Sequence, residues 1–198
     1  MKKLIEHSKL IEKHCDEMGG VFRTSDLKTV LNERHTKSLY RSIDQLVEIG
    51  ALRRFCRGFY VTENPSVEVL SQRLAPKSYV SMTNILSENQ MIGISPKNFV
   101  EAVKIGKNKF YENEGIQIRH YGIKEELFFG CENIDGLSKA TKEKAWLDVM
   151  YFHQHGARFL FNPFEDINFS EINTEKIREH LLKYSNPKFI KFIEGLLQ

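Results

Sequence analysis

Apolar residues mark out the first third of the chain clearly. Leu4, Ile11, Cys15 and Met18 lie on one stripe of a 3.6-residue period, which predicts a helix over Lys2–Met18. Gly19-Gly20 ends it. Val21-Phe22-Arg23 is a short β-like run, after which Thr24 or Ser25 is expected to cap a short helix reaching Leu31. Asp26 falls in its first turn, where the helix dipole favours an acid. Asn32 to His35 makes a turn, and Thr36–Ile49 reads as the next helix. Its inner face carries Leu39, Ile43, Leu46 and Val47; its outer face carries Lys37, Arg41, Asp44, Gln45 and Glu48. Gly50 closes it. Leu52–Phe55 and Phe59–Val61 are expected to pair around Cys56-Arg57-Gly58, where glycine permits a tight turn.

Glu63-Asn64-Pro65 looks like the exit from this first domain. Beyond it, Ser66–Leu74 and Tyr79–Asn89 read as helices. Phe99–Ile105, Lys109–Tyr111, Ile116–Tyr121 and Leu127–Phe129 are short β-favouring runs broken by Gly, Asn and Lys, which suggests a small antiparallel sheet. Thr141 should cap a helix to about His155. Thr174–Tyr184 and Pro187–Leu197 predict two more helices, punctuated by Asn186-Pro187. The expected class is α+β. Residues 1–64 would form a winged helix-turn-helix DNA-binding domain, and residues 65–198 a mixed domain with a helical C-terminal tail.

Charge sharpens the picture of the first domain. The formal net charge is only +3, but between Arg34 and Thr62 six Lys/Arg stand against two Asp/Glu. The excess falls on the third helix and the hairpin, where phosphates would need it. The three cysteines are widely spaced and odd in number, as expected of a reduced, cytoplasmic protein. Glu6, His7 and Lys9 interrupt any signal-like apolar run, and no stretch approaches the ~18 apolar residues of a spanning helix.

The candidate chemistry is therefore duplex DNA recognition. Lys37 and Arg41 would meet phosphates or base edges, since arginine can grip guanine bidentately. Thr36, Ser38, Arg34, Thr24 and Ser25 are candidates for phosphate contact around the helix starts. Arg53, Arg54 and Arg57 would hold a wing on the backbone or in the minor groove. Tyr40, on the helix flank, is in reach of a phosphate or of packing. Two alternatives stand beside this. One is a winged-helix protein-interaction module without a DNA target. The other is a nuclease-like C-terminal enzyme built from Glu125, Glu126, Asp135, Glu143, Lys144 and Asp148. His153 and His155 lack a third ligand at metal-binding spacing, and no phosphate-cradling glycine motif occurs. The expectation is no catalysis, no cofactor and no metal. Phe161, Phe164, Phe169, Phe189 and Phe192 serve either as core or as a docking surface.

Several segments resemble one family. Ser78-Tyr79-Val80-Ser81-Met82-Thr83-Asn84-Ile85-Leu86 resembles the Y-[VI]-S-x-x-S-A-L segment of AbiE-type antitoxins, the AbiEi family of transcriptional regulators. Arg53-Arg54-Phe55-Cys56-Arg57-Gly58-Phe59-Tyr60 is similar to that family's L-x-R-x-x-R-G-x-Y wing. Leu127-Phe128-Phe129-Gly130 looks like the strand before its most recognisable helix. Ala140-Thr141-Lys142-Glu143-Lys144-Ala145-Trp146-Leu147-Asp148-Val149-Met150-Tyr151 resembles A-[TS]-P-E-K-A-L-L-D-x-[LI]-Y, the most specific of these. Lys142 stands for the usual proline, Trp146 for a leucine, and Ile85 for a small residue. The resemblance spans roughly Gly19 to Gly156 and leaves out the tail after Ala157. It implies a repressor that binds inverted repeats in the promoter of its own toxin–antitoxin operon. It also implies a C-terminal domain that counters a nucleotidyltransferase-type toxin without forming a stable complex with it.

Overall fold

The structure is a computed structural model that describes residues 2–170 and 172–198. It is α+β, with eight α-helices and nine strands among the described residues. The chain divides into two compact units. One comprises residues 1–70 with 112–115, and the other residues 71–111 with 116–198. The division falls after Leu70, six residues beyond the expected exit at Asn64.

The N-terminal unit runs α1 (Lys2–Met18), β1 (Val21–Arg23), α2 (Thr24–Val30), α3 (Thr36–Glu48), β2 (Arg53–Cys56), β3 (Phe59–Val61). Its three strands form an antiparallel sheet in the order β1-β3-β2, pairing Val21 with Val61 and Arg53 with Val61. Ile11, Phe22, Leu27, Leu31, Leu39, Ile43, Leu46, Leu52 and Tyr60 make one core against which the helices and sheet pack. Neither Thr24 nor Ser25 caps α2. Arg23 occupies the cap position, and the Asp26 carboxylate accepts its backbone N–H at 2.9 Å. The acid in the first turn thus supplies the reciprocal half of a capping box, satisfying the N–H of the cap residue itself.

The boundary between units falls inside α4 (Val67–Leu74). The C-terminal unit continues with β4 (Ser78–Val80), α5 (Thr83–Glu88), β5 (Phe99–Ile105), β6 (Lys109–Asn113, its last two residues counted with the N-terminal unit), β7 (Ile116–Ile123), β8 (Cys131–Ile134) and β9 (Leu137–Ala140). It ends with α6 (Lys142–Gln154), α7 (Thr174–Leu181) and α8 (Pro187–Leu196). Its six-stranded sheet has the order β6-β7-β5-β4-β9-β8 and is mixed, not antiparallel as expected. β5 pairs with β7 in parallel and β4 with β9 in parallel, while β4–β5 and β8–β9 are antiparallel. Burial explains the departure. β6 is exposed along most of its length and takes the edge, whereas β7 is largely buried and slots between β6 and β5.

Two other expectations fail here. Tyr79 does not open a helix: Ser78–Val80 is a central strand buried throughout, and the helix begins only at Thr83. Leu127–Phe129 is no strand. A 3₁₀ turn covers Glu125–Leu127, and the missed hairpin β8–β9 follows around Asp135-Gly136. Both loop residues have positive φ, 51° and 81°, as a two-residue hairpin loop requires.

The β4–α5 corner is sharp. Met82 has φ 49° and ψ −123°, a conformation costly for any side chain other than glycine's. It is held by the Glu101 carboxylate, which accepts from the Thr83 backbone N–H and hydroxyl, and by Asn84, whose Oδ1 accepts from the Glu101 N–H at 2.8 Å. α6 is buried almost all round, with Trp146 set edge-on to Phe169 at 4.9 Å.

Gly122 has no room for a side chain. A Cβ there would lie 1.9 Å from the Gly106 carbonyl oxygen. Gly122→Ala is expected to destabilise the C-terminal unit by about 1–3 kcal/mol, the usual cost of overpacking, as read by the denaturation of Trp146 fluorescence.

Candidate nucleic-acid interface

The turn between α2 and α3 is organised by one buried acid. Asn32 takes the left-handed conformation at φ 50°, and Glu33 then turns inward. Glu33 accepts from Lys3 Nζ at 2.6 Å, from the Ser38 hydroxyl at 2.7 Å and from the Ser42 hydroxyl at 2.9 Å. The carboxylate thereby fastens the start of α3 to α1. The hydrogen bonds from Lys3 and Ser38, in that order, hold its pKa down to about 2, against the opposing effect of burial. His7 lies 3.9 Å away, its pKa lowered first by burial and then by Lys3. Because the folded value for Glu33 lies below the ordinary carboxyl value of 4.5, its contribution to stability is present above pH 4.5. That contribution is lost as pH falls toward about 2. Acid unfolding of the N-terminal unit, followed by amide exchange, should therefore steepen below about pH 4.5, and Glu33→Gln should flatten that limb.

This clamp relocates Ser38, a candidate for phosphate contact: its hydroxyl is committed to Glu33. The other candidates fall into two groups. Arg34, Thr36, Lys37, Tyr40 and Arg41 are exposed at the start and on the outer side of α3, with Lys37 and Arg41 one turn apart. Tyr40 is 46% exposed, so it belongs to the surface and not to the core. Arg57 is exposed at the β2–β3 turn. Among the described residues Arg34, Lys37, Arg41 and Arg57 make no ion pair.

Arg53 and Arg54 belong to the second group. The Arg53 guanidinium donates to the carbonyls of Thr62 at 3.2 Å and Glu63 at 2.9 Å, and meets Glu114 at 3.5 Å. Its main task is to hold the hairpin together. Arg54 pairs with Asp44 at 3.2 Å and lies over the Tyr60 ring. The pair neutralises Asp44, one of the two acids on the outer side of α3, and ties that helix to β2. Thr24, half-buried, donates its backbone N–H to the Gly58 carbonyl at 3.0 Å, so the hairpin turn is anchored at the start of α2. Ser25 is exposed beside Asp26, its hydroxyl 3.4 Å from that carboxylate.

Two contributors were invisible in the sequence. The Asn113 amide donates to the carbonyls of Arg54 at 3.0 Å and Phe55 at 2.7 Å. With Glu114 on Arg53, a segment some 60 positions away supports β2. No sequence signal marks either residue. For Glu33 the one hint was an acid between two helices with serines five and nine positions on.

In the C-terminal unit the acids of the nuclease expectation do not assemble at a surface. Lys144 and Asp148 are fully buried and ion-paired, and Asp148 also accepts from the Tyr79 hydroxyl at 3.1 Å and the Ser81 hydroxyl at 2.8 Å. Burial first, and the Asp148 charge second, hold the Tyr79 hydroxyl well above its ordinary pKa, so it stays a donor. The Lys144 ammonium also lies over the rings of Tyr79 and Phe129. Glu143 is buried and accepts from the Asn173 N–H, while Glu125, Glu126 and Asp135 are exposed. His155 packs on Tyr151 and His153 on Phe164. No group of three metal-ligating side chains occurs among the described residues. The tail aromatics divide. Phe189 is buried, Phe161, Phe169 and Phe192 are partly buried, and Phe164 is exposed. No helix among the described residues is long and apolar enough to cross a membrane.

No family model matches the chain, and no curated protein matches it. Among solved structures it is similar in fold to the crystal structure of the RV2827C protein from Mycobacterium tuberculosis. The TM-score is 0.61 at 13% identity, covering 92% of this chain and 72% of that one. At that identity the likeness is one of fold.

Proposed function

We propose that residues 1–64 form a winged helix-turn-helix that binds duplex DNA, with α3 entering the major groove and the β2–β3 hairpin serving as the wing. The observation that carries this is the sorting of charge on α3. Lys37 and Arg41 are exposed and, among the described residues, without ion-pair partners on its N-terminal half, while Asp44 is neutralised by Arg54. A helix that leads into a groove with its N-terminal half wants that order. Arg34 and Arg57 supply further phosphate contacts, and Thr36 and Tyr40 flank them. Arg53 and Arg54 act by fixing the wing.

Taken with the AbiEi resemblance, the chain is a repressor of its own toxin–antitoxin operon. Its C-terminal half supports antitoxin action against a nucleotidyltransferase-type toxin. Fluorescence anisotropy with promoter and random duplexes tests the DNA half. Each phosphate neutralised contributes about −0.9 to the slope of log affinity against log salt, so the four exposed cations predict a slope of roughly −3 to −4. Promoter DNA should bind more tightly than random DNA. A flat salt response, or no binding to either duplex, would leave a protein-interaction module in its place. A nucleotidyltransferase-like reading frame beside the gene tests the operon assignment.

A further inference from the structure

The C-terminal unit carries a basic pocket that the proposed repressor role does not use. Its volume is about 670 Å³, and Lys77, Lys104, Lys109, Tyr111, His120 and Glu125 line it. This lies within the roughly 300–1,000 Å³ usual for small-molecule sites. The sheet builds it. In the β5–β7 register Ala102 pairs with His120 and Lys104 with Gly122. Paired residues of parallel strands share a face, so one imidazole and one ammonium stand there beside a methyl group and a bare glycine. Lys109 and Tyr111 come from the adjoining edge strand β6, the Lys109 ammonium 4.9 Å from the Tyr111 ring centre.

Three ammonium groups around one cavity repel each other, and Glu125 is the single carboxylate among the residues that line it. Lys77 and Lys104 form no ion pair among the described residues; Lys104 donates only to the Ile105 carbonyl, at 3.2 Å. His120 is fully buried. Its Nε2 lies 2.9 Å from the Ser71 hydroxyl, while its buried Nδ1 has no hydrogen-bond partner among the described residues. A buried ring nitrogen left without a partner, on a residue that lines a pocket of cations, is an unsatisfied polar group. Burial, and then the Lys104 charge, hold the imidazole neutral, with a pKa near 4. Neutral in either tautomer, the imidazole lines the pocket as a polar group without a charge of its own.

We propose that this pocket binds the phosphate end of a small phosphorylated molecule, through the ammonium groups of Lys77, Lys104 and Lys109, with the neutral imidazole of His120 in the wall behind them. Phosphate oxygens match these donors in charge and number, and charge-assisted bonds of this kind are the strong ones.

The test is calorimetric titration of the full chain with pyrophosphate, ATP and adenosine at about 50 mM salt, where surface attraction is little screened. Pyrophosphate and ATP should bind and adenosine should not. Comparable affinities for the first two assign recognition to phosphate alone; tighter ATP adds the Tyr111 ring as a contact. Lys104→Met should weaken pyrophosphate binding about tenfold, the loss of one charged hydrogen bond. Lys77→Ala, at an exposed position, guards against misfolding as the cause and should weaken it in the same direction. The His120 ring nitrogens should shift in ¹⁵N spectra on adding pyrophosphate. Absence of heat with both phosphates overturns the proposal. So does pyrophosphate binding that survives both lysine changes, or that is lost instead on replacing Lys37 and Arg41.

Discussion

Replacing Asp148 with alanine is expected to cost the C-terminal unit about 3–5 kcal/mol, enough to unfold a marginally stable domain. The reason is the neighbour left behind. Lys144 is fully buried one helical turn away, and Asp148 is its counter-charge. Removing the carboxylate strands an ammonium in the core and takes the acceptor from the Tyr79 and Ser81 hydroxyls. A second variant separates charge from packing. Lys144→Met combined with Asp148→Leu removes both ions and keeps the volume, so it should be milder than Asp148→Ala although each stranded hydroxyl still costs about 1–3 kcal/mol. Trp146 is the chain's one tryptophan and lies fully buried on the same helix, so urea denaturation followed by its fluorescence reports this unit. An Asp148→Ala protein within about 1 kcal/mol of the parent would show that the ion pair is not needed to hold the core.

The second large effect concerns DNA. Lys37→Ala and Arg41→Ala should each weaken promoter binding by about 1–3 kcal/mol if they meet base edges, and the double change by roughly the sum if the contacts are independent. A tenfold loss corresponds to about 1.4 kcal/mol, so the double variant should fall at least tens of fold. Both side chains are exposed and make no ion pair among the described residues, so the folded state should be little affected. Arg53→Ala makes the contrast. Its guanidinium serves the carbonyls of Thr62 and Glu63, so that change should lower stability as well as affinity. Unchanged affinity in the double variant would reject the assigned side of α3.

Sequence periodicity carried the N-terminal unit well because its helices show one apolar side and one polar side. α1 covers the same residues as expected, and α3 ends one residue earlier. In the C-terminal unit the same logic failed where burial is two-sided. Ser78–Val80 lies between β5 and β9, and an apolar run buried on both faces reads equally as helix or strand. β8 and β9 were missed although Asp135-Gly136 is a strong hairpin signal, because their polar composition hides the alternation. Which arginines are tied up by partners could not be derived from spacing. Arg53 and Arg54 are distinguished from Arg57 only by partners brought in by folding: the carbonyls beyond β3, Asp44 on α3 and Glu114.

The four residues from Glu112 to Gly115 bear on how such a protein can be dissected or recombined. A cleavage or gene fusion that stops after Leu70 yields a fragment whose Arg54 and Phe55 carbonyls have lost the Asn113 amide and whose Arg53 has lost Glu114. The amino-terminal part is thus not a portable cassette. Swapping it between relatives would call for exchanging a short distal loop as well, and a pair inherited from different parents would carry a mismatched brace.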